Sequence, residues 1–551
     1  MRSRQAPRAW APQRPALCRV GPEYWTNSAQ WRVRARRAAL AVAGGLLLYS
    51  GHPPLDAGFA GLVALVPLLL LARDVGREPR PLRGGLRWGF VAGVVFFGPL
   101  LWWIVRFGVV AWVLLVAIQT VTVGLFVGAV ARFGERRGRA IFAVALWVAL
   151  EAARSAWPLG GFGWGVLGYT QHAGGMLLPV ARTLGVLGIS AALATIAACL
   201  EEIGVRVARS LPGALRDAAV PADRVFTAAR TPILTLLATL VAAVLLGGEP
   251  PPATGRTIDI ASVQARDVQF TYAGGAPTIS RLDPTRIKRV AEQVAVASLP
   301  LADDPPVVTV WPENSLDADY TDPRNTELRA TVARTLELLD GGTLLVGGLL
   351  DGPRPGTLLH VMLQITPDGD DVDRYVKQRP VPFGEYVPFR RWLEWFPPLR
   401  QIPQDQLPGD QPGVFEVAGA RIGTVICYEN IYPTLAGRTV REGAEVLVVS
   451  TNNTSFSPSP MSRQHLAFSQ LRAVETGRWI LHAGLSGISG VVDPKGDITQ
   501  RTEQFEQAIV RADLPLVTAT TPALVLAGWV GWAATALVGL ALAVRWRRAN
   551  V

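Results

Sequence analysis

Three polar residues in the second half of the chain have side chains suited to acyl transfer. They are Glu313 in VVTVWPENS, Lys377 in DRYVKQRPVPFGEYVPF and Cys427 in RIGTVICYEN. Each follows a short run rich in β-branched residues, so we expect each at the end of a strand, where loops display functional groups. A thiol is a nucleophile, a carboxylate can accept its proton, and an ammonium can stabilise an oxyanion. The sequence therefore predicts a thiol-based acyl-transfer site.

Each of these residues also has an ordinary interpretation. Most single cysteines are small buried hydrophobic residues, and Glu313 could be a surface carboxylate in a proline-containing turn. Lys377 is more informative, because the chain has only three lysines among 54 basic residues. An ammonium is a compact point charge, whereas a guanidinium is a wide fork. Glu385 follows in GEYVPF, where it could orient Lys377 or form an ordinary ion pair.

The region that carries these residues alternates between strand and helix patterns. Strands separated by helices of 10–15 residues predict an α/β fold with a layered sheet. The predicted strands are 257–264, 306–311, 343–350, 359–366, 421–428, 444–451 and 480–493, and the predicted helices are 284–299, 324–339, 432–442 and 461–478.

The rest of the chain has the composition of a membrane protein. Half of all residues are hydrophobic, 18% are charged, and the mean hydropathy is +0.27, which is too apolar for a soluble enzyme of this length. Several apolar stretches approach the roughly 20 residues that span a bilayer. The predicted spans are about 38–51, 57–72, 86–105, 108–131, 139–156, 183–200, 231–248 and 522–544.

Arginine counts in the loops predict the orientation of these spans. Arginines are concentrated in 1–37, 73–87, 132–139, 201–231 and the C-terminal RWRRANV, whereas the opposite short loops contain only Arg106, Arg154 and Arg182. Basic residues favour the cytoplasmic side, so both termini are predicted to be cytoplasmic. An odd seventh span then delivers the region after it to the outside. This topology explains the net charge of +11 without nucleic-acid binding.

These patterns divide the chain into five segments, each with a predicted character. The prediction comprises an Arg-rich cytoplasmic tail at 1–37, a membrane domain of about seven helices at 38–248, an extracytoplasmic catalytic domain at 249–521, a C-terminal span at 522–544 and a cytoplasmic tail at 545–551. The three cysteines, Cys18, Cys199 and Cys427, lie in different kinds of segment, so a disulfide framework is not expected.

The motifs together resemble a known family. WPE, KxRPVPFGEYVP and CYE, followed by STN, QHL…RAVETGR and GISG, are similar to the nitrilase (carbon–nitrogen hydrolase) superfamily, which has a Glu–Lys–Cys triad on an α-β-β-α sandwich. With the predicted spans, the chain from residue 38 onward resembles the apolipoprotein N-acyltransferase family. The segment GFGWGVLGY at 161–169 also looks like a motif of that family.

The resemblance implies roles for particular residues. Glu313 would be the general base, Lys377 the oxyanion partner and Cys427 the nucleophile. Glu385 would be a second essential carboxylate. Tyr428 and Glu429 would support the pocket, and Trp164 matches a membrane-domain tryptophan that relatives carry near the substrate entry.

The resemblance also implies a reaction and its partners. A membrane phospholipid would donate an acyl chain to Cys427, and the N-terminal amine of a diacylated apolipoprotein would accept it, at the bacterial cell membrane. We expect no cofactor and no metal, because the five histidines are scattered and show no metal-ligand spacing. The chain departs from the common STNDAWFG at 450–457, which reads STNNTSFS, and from a common GN after VQ, where it reads Ala265-Arg266-Asp267. These changes concern selectivity more than the reaction.

Two other functions use the same features differently. A membrane-tethered amidase would use the same triad to hydrolyse a small carbon–nitrogen substrate, although such a substrate does not require eight spans. A transporter or scaffold would usually have charged residues inside several spans, and here Glu151 is the clearest one. The aromatic cluster Trp392–Phe396 could be a lid that dips into the lipid interface or a simple membrane contact.

Overall fold

The structure is a computed structural model that describes residues 22–214, 222–265, 284–393, 395–396, 399–400, 402–456 and 459–549. Cys18, most of the predicted N-terminal tail, Arg266, Asp267, Glu394 and Ser457 lie outside the described residues.

Fourteen α-helices lie in the described part of the chain, and nine of them coincide with the apolar segments of the sequence. The predicted span at 57–72 is divided into two shorter helices. The helices are α1 Pro22–Ser50, α2 Ala60–Val63, α3 Leu65–Val75, α4 Pro81–Leu100, α5 Val109–Phe133, α6 Arg139–Ala156, α7 Ala181–Ala214, α8 Ala222–Gly247, α9 Pro284–Ala297, α10 Thr326–Leu338, α11 Arg390–Leu393, α12 Pro433–Arg441, α13 Met461–Thr476 and α14 Ala523–Ala549.

Four of the described helical stretches are long and apolar enough to cross a membrane, judged by length and composition. They are Val109–Phe133, Leu178–Arg209, Ala229–Gly247 and Ala523–Arg547. The remaining predicted spans stay predictions. One of them, α4, meets α5 along glycines, and a Cβ on Gly85 would lie 2.4 Å from the Cα of Gly128. Small residues at such contacts let two helix backbones approach closely.

The region between α8 and α14 is built on two β-sheets. One has the strand order β13-β1-β2-β3-β4-β5, with β6 paired to β4, and the other has the order β12-β11-β10-β9-β8-β7. The strands are β1 Thr257–Gln264, β2 Val308–Leu316, β3 Thr343–Asp351, β4 Thr357–Ile365, β5 Asp371–Val376, β6 Asp405–Gln406, β7 Gly413–Val417, β8 Ala420–Ile426, β9 Val446–Thr451, β10 Ile480–Gly484, β11 Gly490–Val492, β12 Ile498–Arg501 and β13 Ala508–Pro515.

The two sheets pack face to face and are covered by helices on their outer sides. Ile260 and Val310 of the first sheet share one apolar core with Ile426 and Val448 of the second. Helices α9 and α10 cover the first sheet, and α12 and α13 cover the second, in a core that continues into the membrane helices. This four-layer arrangement is the α-β-β-α sandwich that the resemblance implied.

Most predicted strands and helices are confirmed, with shifted ends, but one prediction is wrong. The stretch 480–493 is two strands, β10 and β11, separated by a turn. In that turn the Ser489 hydroxyl donates to the Gln264 side chain at 2.6 Å and its backbone N–H also contacts Gln264. The turn therefore binds across to the first sheet, a contact that a local sequence pattern does not reveal.

Candidate active site

Cys427 lies at a sharp turn after a buried strand. Strand β8 ends at Ile426, and a 3-10 turn, Cys427–Ile431, begins immediately. The φ angle of Cys427 is 51°, in the left-handed region that non-glycine residues rarely adopt. Such a conformation is held where the surrounding structure fixes it, and it is typical of a nucleophile displayed at a strand-to-helix turn. Only 7% of Cys427 is exposed.

Glu313 lies in the second half of β2, at an irregular step in that strand. The pairing of β2 with β3 changes register between Trp311 and Leu316, which redirects the side chains in between. Gly347 of β3 makes room for this step, because a Cβ there would lie 2.7 Å from the Cα of Glu313. The Glu313 carboxylate is buried and accepts a hydrogen bond from the Asn452 backbone N–H at 2.5 Å.

Lys377 directly follows β5, and its fully buried ammonium lies between two carboxylates. Its Nζ is 2.7 Å from Glu385 Oε1 and 3.3 Å from Glu313 Oε1. Glu385 is fixed in turn, because its second oxygen accepts the Val381 backbone N–H at 2.8 Å. The structure thus brings both Glu385 and Glu313 to the Lys377 ammonium, and the predicted roles of these residues stay predictions.

The charges in this group determine its protonation. Burial alone would lower the pKa of Lys377, but Glu385 and Glu313 outweigh burial and raise that pKa above its usual range. Burial alone would raise the pKa of Glu385, but Lys377 and His360 outweigh it and hold that pKa below its usual range. The lysine is therefore a permanent cation and Glu385 a permanent anion near neutral pH.

Cys427 responds in the opposite direction. Burial and the Glu313 charge raise the pKa of the thiol well above its ordinary value, and Lys377 opposes them only partly. The resting residue is therefore a thiol at neutral pH. A nearby group has to accept the proton as the sulfur attacks, and Glu313 is the carboxylate whose charge acts most strongly on that sulfur.

His360 completes the group, and sequence reasoning missed it. Its Nε2 lies 3.5 Å from Glu313 Oε1 and its Nδ1 3.6 Å from Glu385 Oε1, while its backbone oxygen accepts the Lys377 N–H at 2.8 Å. No local signal marks this histidine, which looks like a core residue of β4. We refer to Glu313, His360, Lys377, Glu385 and Cys427 as the Lys377 cluster.

Three members of the Lys377 cluster have donor atoms spaced as metal ligands are. Atoms of Glu313, His360 and Glu385 all lie within 4.8 Å of one another. Lys377 Nζ, however, contacts both carboxylates at hydrogen-bond distance. The ammonium supplies the positive charge that a metal would bring, so the geometry describes a lysine site.

Glu429 ties the cysteine turn to the lysine segment. Its fully buried carboxylate accepts hydrogen bonds from the Tyr375 hydroxyl and the Ile426 N–H, both at 2.8 Å, and from the backbone N–H groups of Gln378 and Arg379 at 2.6 and 3.0 Å. These donors come from both sides of the site. Glu429 therefore links the Cys427 turn to the segment that follows Lys377, and its predicted support of the pocket stays a prediction.

His465 holds the backbone of the nucleophile. Its Nε2 lies 2.9 Å from the Cys427 carbonyl oxygen, and a carbonyl can only accept, so Nε2 carries the proton. Burial lowers the pKa of His465 to about 4, so the ring is neutral. Its Nδ1 then lies 3.3 Å from the Thr451 hydroxyl.

Tyr428 and Trp164 connect the site to the membrane helices. The Tyr428 hydroxyl donates to the Gly161 carbonyl at 3.0 Å, and the Tyr428 ring stacks on Phe162. Trp164 is buried and donates from Nε1 to Gln464 Oε1 of α13 at 2.7 Å. Trp164 is thus part of the contact between the two halves of the molecule. The Phe162 ring stacks on Trp164 as well as on Tyr428 and so lies between them.

The loop after β9 contacts both Glu313 and the membrane helices. Asn452 donates its backbone N–H to Glu313. Phe456 packs edge-on against Trp103 at 5.1 Å and at a tilt against Phe107 at 5.2 Å. The predicted aromatic cluster is strongly exposed: Trp392 and Trp395 are each 72% exposed.

Comparisons with known proteins cover both halves of the chain. A family model for the apolipoprotein N-acyltransferase N-terminal domain matches residues 44–199, and a carbon-nitrogen hydrolase model matches residues 285–521. The apolipoprotein N-acyltransferase of Mycolicibacterium smegmatis is 32% identical over 508 residues, which is 89% of this chain and 82% of that protein. The one from Geobacter metallireducens is 29% identical over 496 residues, 87% of this chain and 89% of that protein.

Solved structures resemble the sandwich region. A mutant of the amidase from Nesterenkonia sp. AN1, with an acetamide moiety covalently added at its active-site cysteine, aligns with a TM-score of 0.35 and 18% identity. The alignment covers 49% of this chain and 93% of that one.

Proposed function

The chain belongs to the apolipoprotein N-acyltransferase family, and on that basis we propose that it transfers an acyl chain from a membrane phospholipid to the N-terminal amine of a diacylated apolipoprotein. The observation that carries this proposal is the Lys377 cluster, in which a buried thiol, a carboxylate and an ammonium lie together. Glu313 is the base, Lys377 the oxyanion partner and Cys427 the nucleophile.

The first half of the reaction forms a thioester. The Cys427 sulfur attacks the ester carbonyl of the phospholipid while Glu313 takes the thiol proton, so charge does not accumulate on the buried sulfur. Lys377 and backbone N–H groups at the turn stabilise the oxyanion, a contribution of about 3–4 kcal/mol for each donor. The carbon–oxygen bond then breaks, Glu313 returns the proton to the leaving oxygen, and a lysophospholipid departs.

The second half forms an amide. The free α-amine of the diacylglyceryl-cysteine attacks the thioester carbonyl, and Glu313 accepts a proton from that nitrogen. When the carbon–sulfur bond breaks, the same proton restores the Cys427 thiol. Glu385 takes no part in these transfers: at 2.7 Å from Lys377 it keeps the ammonium charged and in place. An amide is more stable than a thioester, so this half-reaction runs downhill.

Water has to be kept from the thioester during the cycle. Burial of Cys427, Glu313 and Lys377 supports this, since each is shielded before substrate arrives. The exposed rings of Trp392 and Trp395 belong at a lipid interface, where they would seat the loop against the bilayer, either as a lid or as an anchor.

We further propose eight membrane-spanning segments, cytoplasmic termini and an extracytoplasmic catalytic domain in the bacterial cell membrane. The loops that contact the sandwich support this orientation. Gln464 receives hydrogen bonds from Trp103 and Trp164 and donates to the Pro53 and Leu100 carbonyls, all at helix ends predicted to face outward. The Arg-rich loops lie at the other ends.

The alternative of a tethered amidase has less support. It predicts similarity confined to the hydrolase region, whereas the named relatives match nearly the whole chain, including the membrane segments.

The proposal is tested by mixing the purified protein with a phospholipid carrying labelled acyl chains and a synthetic diacylated lipopeptide. Mass spectrometry of the peptide should show one added acyl chain at its N-terminal amine, and Cys427→Ala should abolish the product. A peptide with a blocked amine is the matched control. Release of free fatty acid or of ammonia from small amides, with no acylated peptide, would favour a hydrolase.

A further inference from the structure

Arg379 is an exposed cation beside the active site that the proposed mechanism does not use. It lies two residues after Lys377, and its backbone N–H donates to Glu429 at 3.0 Å, so the segment that carries it is fixed by the same carboxylate that positions Cys427. Arg379 therefore belongs to the same short segment as Lys377, but its side chain is exposed where that of Lys377 is buried.

In the described part of the chain, the Arg379 guanidinium has no carboxylate partner. Other arginines near the site do have one. Arg390, for comparison, forms an ion pair with Asp405. Arg379 instead lies over the Tyr432 ring, with its central carbon 5.8 Å from the ring centre. An arginine held against an aromatic face keeps its donors available for an anion.

A second tyrosine packs on the ring that holds this cation. The Tyr428 ring lies edge-on to the Tyr432 ring, with 5.4 Å between the ring centres. The Tyr428 and Tyr432 hydroxyls both donate to the Gly161 carbonyl, so the aromatic face against Arg379 is fixed to the loop that follows α6.

The position along the membrane normal fits a lipid phosphate. A Cβ on Gly160 would lie 3.4 Å from Arg379 Nη1, so the guanidinium lies against the loop that follows the end of α6. In that loop Trp157 is 77% exposed, as expected for an aromatic side chain at the interface where lipid headgroups lie. A guanidinium fork matches a phosphate with two parallel hydrogen bonds.

We propose that Arg379 binds the phosphate group of the phospholipid acyl donor. In a glycerophospholipid only the glycerol backbone separates the reacting ester from the phosphate, and only Gln378 separates Lys377 from Arg379 along the chain. Holding the phosphate at Arg379 would thus place the ester carbonyl at Cys427. This inference rests on the proposed function and names the donor headgroup contact of the same site.

The test measures single-turnover acylation of Cys427 by intact-protein mass spectrometry in detergent micelles, with two acyl donors. One is dipalmitoyl phosphatidylglycerol, and the other is p-nitrophenyl palmitate, an ester without phosphate. Arg379→Gln should slow acylation by phosphatidylglycerol roughly ten- to a hundredfold and leave the rate with p-nitrophenyl palmitate within about twofold. Arg374→Gln, which removes an exposed arginine of the adjoining strand β5, should change neither rate.

The outcomes separate this inference from the proposed function. If Arg379→Gln matches the wild type with phosphatidylglycerol, or slows both donors equally, the phosphate assignment is overturned while the acyltransferase proposal stands. An unaltered first step with a slowed discharge by diacylated lipopeptide would also overturn it, because the anion bound would then belong to the acceptor. If phosphatidylglycerol does not acylate the wild type at all, both proposals fail.

Discussion

Two groups of charged side chains, one in each half of the molecule, are built in contrasting ways. The first is the Lys377 cluster, which is buried. The second, which we call the Arg73 cluster, joins α3, α6 and α7 at the arginine-rich ends of the helices and reaches the surface. It consists of Arg73, Glu135, Arg139, Glu201, Glu202, Arg206 and Arg209. In the Arg73 cluster, Arg73 binds Glu201 through two parallel contacts of 2.6 and 2.9 Å.

The contrast lies in the charge balance and in the type of cation. The Arg73 cluster has four guanidiniums for three carboxylates, so each anion faces at least one fork. The Lys377 cluster has one ammonium for Glu313 and Glu385, and next to them a thiol. One carboxylate charge is left unmatched, and in our mechanism it accepts the Cys427 proton. The guanidiniums of the Arg73 cluster hold the helices together. In the Lys377 cluster two carboxylates share one ammonium, which leaves one of them to accept a proton.

The largest effect is expected from removing the shared ammonium. Lys377→Met should lower transfer activity about a thousandfold, because the oxyanion loses its charged donor. It should also destabilise the domain by about 3–5 kcal/mol, because two buried carboxylates lose their partner. Steady-state transfer to a diacylated lipopeptide and thermal unfolding would measure the two effects.

The exposed Lys495 offers the matched control, since Lys495→Met should leave both quantities unchanged. Lys377→Arg keeps the charge and should fold, yet it should remain poorly active because the buried pocket fits an ammonium. A Lys377→Met enzyme that retains more than a tenth of wild-type activity would remove the distinction between the two clusters.

The next effect is expected from Glu429, the carboxylate that links the Cys427 turn to the segment after Lys377. Glu429→Gln replaces a carboxylate that accepts four hydrogen bonds with an amide. The amide NH₂ group would then face hydrogen-bond donors instead of acceptors. We expect a loss of about 1–3 kcal/mol in the free energy of unfolding and a fall in activity of roughly tenfold or more. Glu416→Gln, on the exposed side of β7, controls for the change of charge. Equal activity of Glu429→Gln and wild type would show that other residues hold the Cys427 turn in position relative to Lys377.

A smaller effect is expected in the reactivity of the thiol. Burial and Glu313 raise the Cys427 pKa above 9.0, so the rate of alkylation by iodoacetamide should still be rising above pH 9. Glu313→Gln removes the like charge and leaves Lys377, which lowers the pKa, so alkylation at pH 8 should be roughly tenfold faster although transfer is lost.

This experiment is done in a Cys18→Ser background, with the labelled peptide identified by mass spectrometry. Cys427→Ala gives the background from Cys199. If Glu313→Gln shifts the alkylation profile to higher pH, Glu313 does not act on the thiol as a neighbouring negative charge.

The smallest effect is expected in the Arg73 cluster. Arg73→Lys exchanges a fork for a point charge at a bidentate site, which should cost stability of about 1 kcal/mol and leave transfer activity within about twofold. The measurement is thermal unfolding in detergent together with the lipopeptide assay. A loss of activity as large as that of Lys377→Arg would mean that both clusters serve the reaction.

The sequence predicted the parts of the fold that depend on local pattern. Strand β1 has the predicted bounds, and α9 ends at Ala297, just short of the predicted 299, because a 3-10 turn containing Pro300 follows. Strands β5, β6, β7, β12 and β13 were missed. The sequence of β5, DVDRYV, is polar, and β5 lies at the edge of its sheet, where charged side chains reach solvent.

The site could be predicted only as far as its reactive groups are marked by motifs. Glu313, Lys377, Cys427 and Glu385 were all identified from the sequence. His360 was not, because its place beside both carboxylates depends on the register in which β4 pairs with β3 and β5. The paired glycines in TLLVGGLL carried a usable signal, since glycine inside a strand often marks the close approach of another backbone, here Glu313.

The most direct test of the central claim is the mass of the intact enzyme after incubation with a phospholipid alone. The mechanism predicts a single fatty-acyl adduct on Cys427 that hydroxylamine removes, that Cys427→Ser and Glu313→Gln fail to form as a thioester, and that a diacylated lipopeptide discharges into an amide. A wild-type enzyme that acylates the lipopeptide without ever carrying that adduct would contradict the account.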